Sequence, residues 1–147
     1  MALPAPHVSE IAGIIQLSVA PVFLLAGVGA IVNAMSTRLG RVVDRARSIE
    51  SELPAADPKR AERIHGELRT ISRRARLIGR AIALAVLCAL LVTLLLIAAF
   101  VDAFLATDLS FALAAIFVGA LVAFSASLLV FLREILIASA NLRIGPH

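Results

Sequence analysis

Of the fourteen Lys and Arg residues in this 147-residue chain, twelve lie between Arg38 and Arg80, and none lies in residues 1–37 or 81–132. Long apolar stretches without a cation, flanking one basic block, are what spanning helices look like when positive charge holds a loop on the cytoplasmic side. The chain is 61% hydrophobic, whereas soluble domains are usually about 45–50% apolar. That excess cannot be hidden in one water-soluble core of this size. The net charge of +4 therefore reads as loop retention and contact with anionic lipid heads, and no nucleic-acid partner is expected.

Three segments meet the requirement of about 20 apolar residues for a 30 Å hydrocarbon layer: 11–35, 81–101 and 111–132. Lipid offers no partner to backbone N–H and C=O groups, so each must be a helix. With the basic block inside, the N-terminus is outside, residues 36–80 are cytoplasmic, and the C-terminal tail 133–147 is inside. The first ten residues lack a basic region, and the first apolar stretch is longer than a signal-peptide core, so no cleaved signal is expected. Trp and Tyr are absent, leaving Phe100, Phe104 and Phe111 as candidates for an outer aromatic belt.

The basic block has a pattern of its own. Leu39, Val42, Ala46, Ile49 and Leu53 recur at spacings of three and four, as do Ile64, Leu68, Ile71, Ala75, Ile78 and Ile82. Between the stripes, Leu53-Pro54-Ala55-Ala56-Asp57-Pro58 is a turn sequence, with two prolines to interrupt the helix and Asp57 to favour the bend. The expectation is an antiparallel helical hairpin over residues 36–80 with a coiled-coil-like seam, built from two rods of about 8–52 and 59–106.

Small residues form ridges. Ala81, Ala85, Ala89 and Thr93 are four apart, as are Ala115, Gly119, Ala123 and Ser127. Such ridges let helices approach closely in lipid, and here they predict the contact between the second and third spans. In the first span, Gly13, Ala20, Gly27 and Ala34 recur every seven residues, with Gln16, Phe23, Ala30 and Thr37 three residues after each. That seam suits a helix meeting its own copy about a symmetry axis. Pro21 lies within it and removes a donor to the carbonyl of Leu17. Gln16, Pro21, Phe23, Gly27 and Asn33 are the candidates for lining or gating a pore. The plainer reading, which weighs more, is that Gln16 and Asn33 hydrogen-bond neighbouring helices.

Glu10, Asp102 and Asp108 place acid and no base at the outer face. Repeated around an oligomer they would make a cation-concentrating ring, against the simpler reading of solvated acids. The three spans contain no Asp, Glu, His, Lys or Arg, so the intramembrane relay typical of proton-coupled carriers is missing. His7, His65 and His147 are scattered, and Cys88 is the sole cysteine. No metal site, disulfide, cofactor or enzymatic chemistry is expected.

The arginines form two collars: Arg38, Arg41 and Arg45 after the first span, and Arg73, Arg74, Arg76 and Arg80 before the second. Lipid-head anchoring and salt bridging are the plain reading, with Asp44 within intrahelical reach of Arg41. Recognition of a particular anionic lipid or a protein partner is the sharper one.

The run Ile15-Gln16-Leu17-Ser18-Val19-Ala20-Pro21-Val22-Phe23-Leu24-Leu25-Ala26-Gly27, then Asn33, then Arg38-Leu39-Gly40-Arg41-Val42-Val43-Asp44-Arg45-Ala46-Arg47 resembles the core of a bacterial membrane family known as domain of unknown function 2721. Ser72-Arg73-Arg74 and Phe131-Leu132-Arg133-Glu134-Ile135 extend the resemblance over nearly the whole chain. The resemblance implies a three-span protein of a bacterial inner membrane and no established activity. The layout is also similar, in topology alone, to three-span subunits of bacterial proton-channel motors, without any of their motifs.

The reading is an all-α membrane protein of one domain that assembles as a homo-oligomer. It forms a pore- or channel-like assembly with the first span at the axis. The alternative is a non-conducting scaffold or regulator whose basic hairpin binds anionic lipid or a protein partner.

Overall fold

The regular structure of the chain is helical throughout residues 8–105 and 109–140, the part that the computed structural model describes. Three long α-helices follow in order: α1 over Val8–Glu50, α2 over Pro58–Leu105 and α3 over Ser110–Ala140. Each is long and apolar enough to cross a membrane, so the protein is an integral, multi-pass membrane protein. α1 passes unbroken through Pro21, whose ring is buried.

The connection between α1 and α2 is chemically explicit. α1 ends in a turn at Ser51 and Glu52, where the Ser51 hydroxyl donates to the carbonyl of Ser48 at 2.7 Å. A single 3-10 turn, Leu53–Ala55, follows. Asp57 then caps α2: its Oδ1 accepts the backbone N–H of Arg60 at 2.7 Å, while Pro58 takes the first helical position, where a missing N–H costs nothing.

From that turn the contacts between α1 and α2 step outward in pairs. Arg60 meets Glu52 at 2.8 Å, and Arg45 meets Glu67 at 3.1 Å. Beneath these exposed ion pairs lies one apolar cluster of Met35, Val42, Ile49, Ile64, Ile71, Ile78 and Ala81. Leu39, Ala46, Leu53, Leu68, Ala75 and Ile82 pack on it. Pro21, Val28, Met35, Val42 and Ile49, each seven residues from the next, are the buried positions of α1. A seven-residue repeat keeps a slightly underwound helix facing one partner over its full length.

α2 also carries the contact with α3, so it stands between the other two helices. A second cluster joins all three: Val28, Ala85, Cys88, Val92, Ala120 and Ala123. The expected four-residue ridges meet only over part of their length. Ala81, Ala85, Ala123 and Ser127 are buried, but Thr93 and Ala115 are exposed. The buried positions of α2 instead run Ile64, Ile71, Ile78, Ala81, Ala85, Cys88 and Val92. The reason is geometric: four residues advance about 40° past a full turn, so a strict ridge rotates out of the contact, whereas alternating steps of three and four stay in it. Between α2 and α3 the Ser127 hydroxyl donates to the carbonyl of Ala81 at 2.6 Å, fully buried.

Among the described side chains, large apolar ones are exposed at Val19, Val22 and Phe23 and then from Val86 onward, with none between. This marks a lipid-facing zone on α2 and α3, where Phe104 and Phe111 are the most exposed of these side chains and Phe100 is less so. The turn-proximal half of α1 and α2 tucks its apolar residues inward and offers charge to solvent.

Candidate functional site

A charged cluster sits at the foot of the apolar bundle, where all three helices contribute one residue each. Glu134 on α3 is fully buried. Its Oε1 accepts a hydrogen bond from Nε of Arg74 on α2 at 3.0 Å and lies 3.0 Å from Nη2 of the same guanidinium. Its Oε2 lies 3.0 Å from Nε of Arg38 on α1. That second contact is an ion pair without a hydrogen bond, because the N–H is not aimed at the oxygen, and both atoms are left buried without a hydrogen-bond partner. Arg38 also lies 5.8 Å above the centre of the Phe131 ring, within range of a cation–π attraction. A carboxylate out of water is tolerated only when paired, and here it is paired twice.

The local sequence explains how each group arrives. Arg38 and Arg45 fall three residues past Met35 and Val42, two of the buried seven-residue positions. They therefore flank the α1–α2 seam rather than enter it. Glu134 lies seven residues past Ser127, on the face of α3 already turned to α2. Arg74 follows Ile71 by the same three-residue step.

These arginines line a groove of about 360 Å³ between α1 and α2, bounded by Arg38, Arg41, Val42, Arg45, Ile71 and Arg74. A second recess of about 320 Å³ adjoins it on the membrane side, lined by Ala34, Thr37, Arg38, Arg41 and Phe131. Arg38 and Arg41 belong to both. The remaining collar is separate: Arg73, Arg76, Leu77, Arg80 and Arg133 line another recess, of about 330 Å³. The two collars read from the sequence are thus regrouped, with Arg74 joining the α1 arginines and Arg133 joining Arg73, Arg76 and Arg80. Among the described residues, neither Arg41 nor Asp44 forms an ion pair.

The pore candidates lie elsewhere. Gln16, Phe23, Gly27 and Asn33 are exposed on α1, and Pro21 is buried. Ala20, Ala26, Gly29, Ala30, Ala34 and Thr37 are exposed as well. A Cβ added at Gly27 or Gly29 would meet nothing within 4 Å. The Thr37 hydroxyl donates to the carbonyl of Asn33 at 3.0 Å. Among the outer acids, Asp102 accepts the backbone N–H of Leu109 at 3.3 Å, tying down the entry to α3. Asp108 and the side chain of Glu10 lie outside the described residues. Among the described residues, no group of three or more His, Cys, Asp or Glu is placed to hold a metal ion.

Sequence reasoning named Glu134 only within the family-like run Phe131-Leu132-Arg133-Glu134-Ile135. The signal that it does more was present: it is the one acid in the apolar stretch from Phe111 to Ala140.

Three apolar helices knit at one end by a buried carboxylate and two arginines define a small three-span integral membrane protein. The chain matches, over residues 18–144, the family described as "Protein of unknown function (DUF2721)". It belongs to that family. No curated protein and no solved structure matches it.

Proposed function

We propose that the protein works as a homo-oligomer in a bacterial inner membrane, a channel-like assembly with α1 at its axis. The basic hairpin lies in the cytoplasm and the Asp102 end outside, as the distribution of Lys and Arg favours. The observation that supports this reading is a contrast between helices. The exposed surfaces of α2 and α3 from Val86 onward carry many Leu, Ile, Val and Phe side chains among smaller ones such as Thr93, Ala112, Ala115 and Ser125. The free face of α1 from Ala26 to Thr37 is instead Ala26, Gly27, Gly29, Ala30, Asn33, Ala34, Ser36 and Thr37. Small residues give lipid little to pack on but allow another backbone to come close. Asn33 and Thr37 gain polar neighbours if that backbone belongs to a second copy.

The seven-residue positions Gly13, Ala20, Gly27 and Ala34 continue to Arg41. An assembly closed around this seam would carry arginines at its inner mouth, which favours anions over cations. The test is ion flux from liposomes reconstituted with the purified protein, compared with empty liposomes, and with Asn33→Leu and Gln16→Leu variants. Anion efflux that these variants alter supports the channel; no flux for any ion tested removes it.

The groove of Arg38, Arg41, Arg45 and Arg74 favours a second reading: a non-conducting, non-catalytic scaffold or regulator whose basic hairpin engages anionic lipid or a protein partner. It predicts oligomers without flux.

A further inference from the structure

We propose that the paired recesses around Arg38 and Arg41 form a binding site for a phosphomonoester lipid, the phosphate seated in the arginine groove and the glycerol and tails rising past Ala34, Thr37 and Phe131. This goes beyond a general basic collar, and it rests on the second reading above, because Ala34, Thr37 and Arg41 cannot face a lipid and a second copy of α1 at once.

Charge gives the first argument. Arg38, Arg41, Arg45 and Arg74 line the groove, while Glu134 and Glu67 are the carboxylates in contact with them. Four guanidinium groups against two carboxylates leave a net charge of +2. A phosphomonoester carries about −1.5 to −2 at pH 7, against a single negative charge on a diester headgroup.

Donor supply is the second. Each guanidinium has five N–H donors, and the one carboxylate between Arg38 and Arg74 cannot accept them all. Arg38 turns its Nε to Glu134, and among the described residues Arg41 forms no ion pair. Glu134 and the Phe131 ring hold Arg38 and Arg74 in place, so a ligand meets donors already positioned.

Shape is the third, and it selects the source of the phosphate. The arginine groove shares Arg38 and Arg41 with the recess lined by Ala34, Thr37 and Phe131, residues at the ends of apolar segments. A free phosphate needs only the first recess; a lipid fills both.

The experiment is native mass spectrometry of the detergent-solubilised full chain titrated with dioleoyl phosphatidic acid, dioleoyl phosphatidylglycerol and glycerol 3-phosphate. The expected result is retention of phosphatidic acid at roughly tenfold lower concentration than phosphatidylglycerol, the size of effect that charge-assisted hydrogen bonds supply. Arg41→Gln should abolish that preference, and Arg76→Gln, in the separate arginine recess, should leave it. Arg41 holds nothing else in place, so its variant folds, which circular dichroism checks. Equal retention of the two lipids overturns the proposal, as does an Arg76→Gln loss equal to that of Arg41→Gln. Glycerol 3-phosphate displacing the lipid at equal concentration overturns the lipid assignment in favour of a soluble phosphate ester.

Discussion

Arg74 and Glu134, sixty positions apart in sequence, are joined by two nitrogens of one guanidinium on a single carboxylate oxygen, both at 3.0 Å. With Arg38 on the other oxygen at 3.0 Å, the foot of the bundle is closed by charge where the upper part is closed by apolar contact. Glu134 is wholly enclosed, whereas the side chain of Arg74 is a quarter exposed and that of Arg38 about a third. The acid is therefore the member that cannot turn to water if its partners are lost.

Glu134→Ala should cost about 3–5 kcal/mol, because it leaves two arginines facing one another without their counter-charge. A triple variant, Glu134→Leu with Arg38→Met and Arg74→Met, should recover most of that loss, since an apolar replacement of a buried ion cluster is often neutral or better. Thermal unfolding in detergent followed by circular dichroism measures both. A triple variant as unstable as the single one would show that charge is not what Glu134 contributes.

Ser127 tests the α2–α3 contact. Ser127→Ala removes one interhelical hydrogen bond, for which about 0.6 kcal/mol is typical within a membrane. Ser127→Leu should cost about 1–3 kcal/mol or more, because the added side chain meets Ala81, which has no exposed surface, and overpacking a close contact forces helices apart. The ratio of the two effects separates hydrogen bonding from packing.

Gly27 tests the free face of α1. No side chain approaches the position, so Gly27→Leu should leave the melting of the single chain unchanged or slightly raised, as Gly in a helix costs roughly 0.5–1 kcal/mol relative to Ala. If α1 meets its own copy, the same change should abolish disulfide cross-linking through Ala30→Cys in a Cys88→Ser background. Cross-linking unaffected by Gly27→Leu would remove α1 from the oligomer contact.

Asp57→Ala should cost about 1 kcal/mol by removing the cap from the Arg60 N–H. Asp57→Asn, which keeps the oxygen, should cost much less. Hydrogen exchange at Arg60 reads the cap directly.

Local periodicity made much of this legible. The three apolar helices follow from runs too long and too free of charge for any other solution in lipid. The turn follows from Pro54, Asp57 and Pro58, whose chemistry acts within a few residues. The stripes from Leu39 to Leu53 and from Ile64 to Ile82 follow because one helix surface repeats every seven residues, and all of them fall in one apolar cluster.

The sequence by itself therefore determined the helices, their apolar faces and the membrane as their solvent, because each depends on neighbours within about two turns. Only the tertiary structure decided which arginines share a groove, that Thr93 and Ala115 leave the contact their ridges suggested, and that Glu134 binds Arg38 and Arg74. Those outcomes depend on the axial offset between helices, which is set by two short connections and by the rotation of each helix on its axis. A single chain read along its length carries no direct measure of either. A carboxylate one turn higher or lower would have faced lipid or water instead of two arginines.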